Sequence, residues 1–107
     1  MFDWYDRRGR PISIERVGEL RSSDPQYYRV ALSQVGDYEV STVWLGMDHR
    51  HDTTTTQRPL IFETMIFYNG EAVDMERYST VWQARWGHFL LKKAYAEKSR
   101  AALKQNS

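Results

Sequence analysis

A carboxylate set inside an apolar strand is the sharpest chemical feature of this sequence. Glu63 lies within Pro59-Leu60-Ile61-Phe62-Glu63-Thr64-Met65-Ile66-Phe67, with Ile61, Met65 and Phe67 on its own side of a strand. A charge there is expensive unless paired. Either Arg29 meets it as a structural partner, or it holds a ligand or takes a proton. Asp48 and His49 directly follow the run Ser41-Thr42-Val43-Trp44-Leu45-Gly46-Met47, and His51 and Asp52 come next. Two imidazoles and two carboxylates so close together form a donor set for a transition metal. The spacing matches no closed zinc motif, however, and Arg50 intrudes between the histidines, so no metal is expected. His88 falls in an apolar stretch of helical pattern. A lone histidine there is more often a satisfied core residue than a base, but aimed at Glu63 or Asp48 it would form an acid–base couple. Trp44, on the same strand face as Arg29, is the aromatic anchor that a binding partner would use.

Composition removes several function classes. Basic and acidic residues number 15 and 14, so no strong field argues for nucleic acid or an anionic membrane. Basic residues do not interleave with aromatics along one strand face, unlike an RNA-recognition sheet. The absence of cysteine excludes disulfides and thiolate catalysis. No glycine-rich phosphate loop, nucleophile elbow or His-Glu-x-x-His motif is present. Residues 1–10 lack an apolar signal core, and no apolar run reaches the roughly 20 residues that span a bilayer. A cytoplasmic chain without a cofactor is therefore expected. Four Trp, seven Tyr and four Phe suit a core built on aromatics, with some left over for a recognition patch.

These residues need elements to place them. The chain, 107 residues long, is one domain. Two short extended pieces flank Arg8-Gly9-Arg10-Pro11, and Ser13 caps a short helix over residues 14–21. Gly36-Asp37 joins two strands as a type II′ hairpin with Val35 opposite Tyr38. In that register Tyr28, Val30 and Leu32 share a core face with Val43 and Leu45. Arg29 and Ala31 share a mixed face with Thr42 and Trp44. A polar loop over residues 48–58, with four threonines at 53–56, is expected to be mobile. A third strand over residues 60–68 reads as central, and Asn69-Gly70 turns it into an edge strand. From Ser79 or Thr80 a long helix runs to about residue 103. Its first half is apolar nearly all round, which predicts burial of Trp82, Trp86, Phe89 and Leu90 as well as Val81, Ala84 and Leu91. Its second half, residues 92–107, is a basic helical tail. The fold class is α+β: a small, mainly antiparallel sheet packed on a long C-terminal helix, with a short N-terminal helix.

The strand Val40-Ser41-Thr42-Val43-Trp44-Leu45-Gly46-Met47-Asp48-His49, with the Glu63 strand, resembles a family of small, functionally uncharacterised proteins encoded by bacteriophages and prophages. The turn Tyr5-Asp6-Arg7-Arg8-Gly9-Arg10-Pro11, the helix entry at Tyr78 and Gly87-His88 look similar to that family too. The resemblance spans roughly residues 4 to 90 and implies a phage origin and an accessory role in an infected bacterium. It implies no reaction. The leading expectation is a non-enzymatic binding module for a host protein or a small ligand, with a second copy of the chain as a further option. The alternative is a small enzyme using Glu63, His88 and Asp48 with His49.

Overall fold

Turn chemistry lays out the chain. In a computed structural model describing residues 4–50 and 58–105, the order is β1 (Trp4–Tyr5), β2 (Pro11–Ile12), α1 (Ile14–Ser23), β3 (Arg29–Val35), β4 (Tyr38–Trp44), β5 (Phe62–Tyr68), β6 (Glu71–Tyr78) and α2 (Val81–Gln105). Ser13 starts α1 as expected, its side chain accepting from the Arg16 amide at 3.1 Å. Gly36 takes φ +59 while Asp37 stays out of the left-handed region, as a type II′ turn requires, and Val35 faces Tyr38. At the next turn Asn69 and Gly70 both have positive φ, the type I′ pattern. β3 to β6 thus form an antiparallel meander with β4 and β5 in the middle, and β1 and β2 form a separate two-stranded ribbon. The fold is α+β, with the sheet packed on α2.

The register corrects the assignment of faces. Val30 is an extra residue in β3, so Arg29 pairs with Val43 while Ala31 pairs with Thr42. Arg29 is therefore on the face opposite Trp44. The face carrying Ala31, Ser33, Val40, Thr42 and Trp44 is the one α2 covers, and Val40, Thr42 and Trp44 are buried there. The face expected to be core, with Leu32 and Val43, is open, and Leu32 is 53% exposed. A hydrophobicity pattern misleads here because threonines occupy covered positions and find partners there.

The core gathers at the Trp44 end of the sheet, where Val17, Trp44, Ile61, Phe62, Tyr78 and Ala84 pack together. Along α1, Val17 is buried, Leu20 half-buried and Ile14 exposed. At the other end Tyr38 packs against Tyr68 and Tyr95, and the Tyr95 hydroxyl donates to Asp74 at 2.9 Å. Burial and that carboxylate push the Tyr95 hydroxyl up to about 12. A 25-residue helix is about 37 Å long against about 23 Å for a seven-residue strand. The Gly36 turn abuts α2 at Ser99, so residues 100–105 project past the sheet. Only one side of α2 is covered. Val81, Ala84, His88, Leu91 and Tyr95 face the sheet, whereas Trp82, Trp86, Phe89 and Leu90 are exposed by 72, 62, 53 and 45%. Burial of that second group is thus overturned: the sheet is wide enough for one face of a helix only.

Candidate functional site

The residues singled out by type do not converge. Glu63 is buried but pairs with Arg77, the Nε donating at 3.0 Å, and not with Arg29, His88 or Trp44. Arg29 sits one strand further across the open face and donates from Nη2 to the Tyr28 hydroxyl. Trp44 is 2% exposed, and its Nε1 donates to the Tyr5 carbonyl at 3.0 Å, which removes it as an exposed anchor. Asp48 accepts from the Arg50 side chain and from the Arg50 and Leu60 amides, closing the neck of the loop. Burial pushes its carboxyl up, but those donors outweigh it, and the carboxyl ends below the ordinary carboxylate range. His49 donates from Nδ1 to the Met47 carbonyl at 2.8 Å. His51, Asp52 and the threonines at 53–56 lie outside the described residues, so the metal donor set and the loop's mobility stay expectations. Among the described residues no three metal-ligating side chains cluster.

His88 is the exception, because it organises a buried polar cluster. Its Nδ1 lies 2.7 Å from Thr42 Oγ1 and its Nε2 2.9 Å from Ser33 Oγ, while Thr42 Oγ1 lies 2.6 Å from Thr64 Oγ1. Burial pushes the imidazole below its usual value, and Lys92 adds to the effect. Serine, imidazole and a further hydroxyl stand in the order of nucleophile, base and orienter. The third place holds a neutral hydroxyl where a carboxylate would stabilise an imidazolium, however, and Thr42 is wholly buried. Glu63 and Thr64 alternate along β5, so Glu63 points to the opposite face from His88. The cluster seats α2 on the sheet.

A cavity of about 560 Å³ lies elsewhere, between the N-terminal turn and the start of α2. Tyr5, Arg7, Arg8, Arg58, Ile61 and Trp82 are among its walls, with Ser79 and Thr80 at its rim. Asp6 shapes one side by accepting from the Arg8 and Arg10 amides and from Arg10 Nε, so that Arg7 and Arg8 are presented in a tight turn. Burial would raise the Asp6 carboxyl, but these donors leave it lowered. Sequence reasoning missed this cavity. Its arginines come from segments some fifty positions apart, and the only signal was the dense Arg7-Arg8-Gly9-Arg10 turn.

From Trp82, at the cavity wall, an exposed ridge runs along α2, in which Trp86 and Phe89 stack at 5.5 Å. At about 100° per residue, Lys93 and Arg100 continue the same stripe. Arg85 lies over the Trp82 ring at 5.2 Å.

No family model, curated protein or solved structure matches this chain. Among the described residues no helix is long and apolar enough to cross a membrane.

Proposed function

We propose that the protein is a non-enzymatic binding module that docks a partner protein through the outer stripe of α2. The observation that carries this reading is the exposure of Trp82, Trp86, Phe89 and Leu90 side by side on a helix whose other face is fully used. Such large apolar groups at the surface mark interaction sites, and tryptophans dominate binding energy where they are buried by a partner. Arg85, Lys92, Lys93 and Arg100 flank or extend the ridge, while Glu97 is the helix's only acidic residue. The complementary surface is an apolar groove with acidic edges. The resemblance of the β4 and β5 segments to phage proteins supports an accessory role in the bacterial cytoplasm with a host protein as partner. A second copy of the chain is disfavoured because two basic stripes would face each other.

The test is affinity capture from bacterial lysate beside a Trp86→Ala/Phe89→Ala variant, with native mass spectrometry of the purified chain. Both side chains are exposed, so the variant is expected to keep its helical content and melting transition. Losing two anchors should weaken capture by well over about 30-fold, since a single hot-spot residue typically contributes about 2 kcal/mol or more. An identical set of captured proteins for both forms refutes the reading. A dimer that the double substitution dissolves would make the partner a second copy.

A further inference from the structure

We propose that the cavity at the start of α2 binds a small phosphate-bearing ligand with a planar ring, the size of a mononucleotide. Three arginines, Arg7, Arg8 and Arg58, line it, and none of its described lining residues is acidic. In a chain of nearly balanced charge, this is a local excess of cation among the described lining residues. Among the described residues Arg8 and Arg58 make no ion pair through their side chains. Arg7 is held in place, its Nη2 donating to the Arg29 carbonyl and its guanidinium lying over the Tyr27 ring. Its Nε is buried without an acceptor. A guanidinium suits phosphate because its planar fork can donate two parallel hydrogen bonds.

The helix start adds to the same preference. Thr80 Oγ1 accepts from the Gln83 amide, and Gln83 Oε1 accepts in return from the Ser79 and Thr80 amides, a reciprocal cap. The Val81 and Trp82 amides are left without a partner among the described residues, and the first turn of α2 contains no acidic side chain. Free amides at the positive end of a long helix favour an anion. The rest of the wall is of another kind. Tyr5 and Trp82 supply aromatic lining, Trp82 with Arg85 over one face, and Pro59, Ile61 and Val81 an apolar lining. Bare phosphate would use the arginines and leave the aromatic side empty. A ligand with phosphate at one end and a planar ring at the other fills both, and the volume lies within the roughly 300–1,000 Å³ usual for small-molecule sites.

Isothermal titration of the full chain with ADP, pyrophosphate and adenosine separates the two halves of the site. ADP is expected to bind more tightly than either of the other two. An Arg8→Ala/Arg58→Ala variant should lose about tenfold or more for ADP and pyrophosphate, given the strength of charge-assisted hydrogen bonds, with an unchanged melting transition. Trp82→Ala should bring ADP down to the level of pyrophosphate while leaving pyrophosphate unchanged. Absence of heat with both ADP and pyrophosphate at millimolar concentration overturns the proposal, as does binding that the arginine substitutions leave intact. ADP binding no tighter than pyrophosphate overturns the ring half. Because Trp86 and Phe89 are outside the cavity, Trp86→Ala/Phe89→Ala should retain ADP binding, which keeps this result separate from that of the docking ridge.

Discussion

His88→Ala is expected to lower the unfolding free energy by roughly 3 kcal/mol, and the polar share of that loss is the smaller one. The imidazole is 7% exposed and bonded at both nitrogens, to Thr42 and Ser33. Truncation leaves Thr42 and Thr64 still bonded to each other at 2.6 Å, and Ser33 is only half-buried, so the hydrogen-bond penalty is about 1 kcal/mol. The void left by the ring contributes about 2 kcal/mol more. The pH dependence is more diagnostic. Burial holds the folded-state value of His88 below its usual 6.5, so between the two values the unfolded chain binds more protons than the folded one. Stability therefore falls as pH drops below about 6.5, with a limiting slope of about 1.4 kcal/mol per pH unit, and levels off below the folded value. Asp6 and Asp48 act in a separate window. Their lowered carboxyls stabilise the fold above the ordinary carboxylate range and lose that contribution only as pH falls below about 4. Urea unfolding followed by tryptophan fluorescence between pH 5 and 8 should show wild type losing stability toward pH 5 faster than His88→Ala. Parallel curves across that range would refute the reasoning.

Three further outcomes follow from the packing. Gly87→Ala should lower the melting temperature, because a Cβ there overlaps the Tyr78 ring and hydroxyl; overpacking of about 1–3 kcal/mol outweighs a helix-propensity gain of about 1 kcal/mol. Arg77→Ala should destabilise by about 1–3 kcal/mol by stranding the buried Glu63 carboxylate, and adding Glu63→Gln should recover part of that loss in a double-mutant cycle. Ser13→Ala should lower stability by about 1 kcal/mol in urea titration, since its side chain caps α1 at the Arg16 amide; an unchanged midpoint would show that α1 is held by Val17 alone.

The elements were legible wherever local chemistry decides structure. Ser13, Gly36-Asp37, Asn69-Gly70 and Thr80 each mark a boundary through a cap or a left-handed turn. The two short turns pair β3 with β4 and β5 with β6, while the central β4–β5 pairing spans a long connection. The faces were not legible. A single extra residue at Val30 moves Arg29 across the sheet, and threonines at covered positions look like surface residues until His88 is known to reach them. The helix was misread for a related reason: with apolar residues nearly all round, its pattern cannot say which side the sheet will take. Glu63 was rightly read as costly to bury, but its partner, Arg77, comes from the neighbouring edge strand. The arginine-lined cavity was out of reach because proximity of Arg8 to Arg58 is a property of the folded chain alone.

The Ser33–His88–Thr42–Thr64 cluster also tells the chain when its strands are aligned. Its three hydroxyls come from β3, β4 and β5; Ser33 and Thr42 reach the imidazole directly and Thr64 through Thr42, and they do so only when both strand pairs have closed in the native register. Slippage of β4 by one residue would send Thr42 to the open face and turn Ser41 or Val43 toward α2. A purely aliphatic contact would accept such an error at small cost, whereas the imidazole would be buried with its nitrogens unanswered. The meander can assemble from local pairings, but the helix lands firmly only on the correct version of it. His88 thus works as a proofreader for the sheet, discriminating against misaligned strands by withholding the dock.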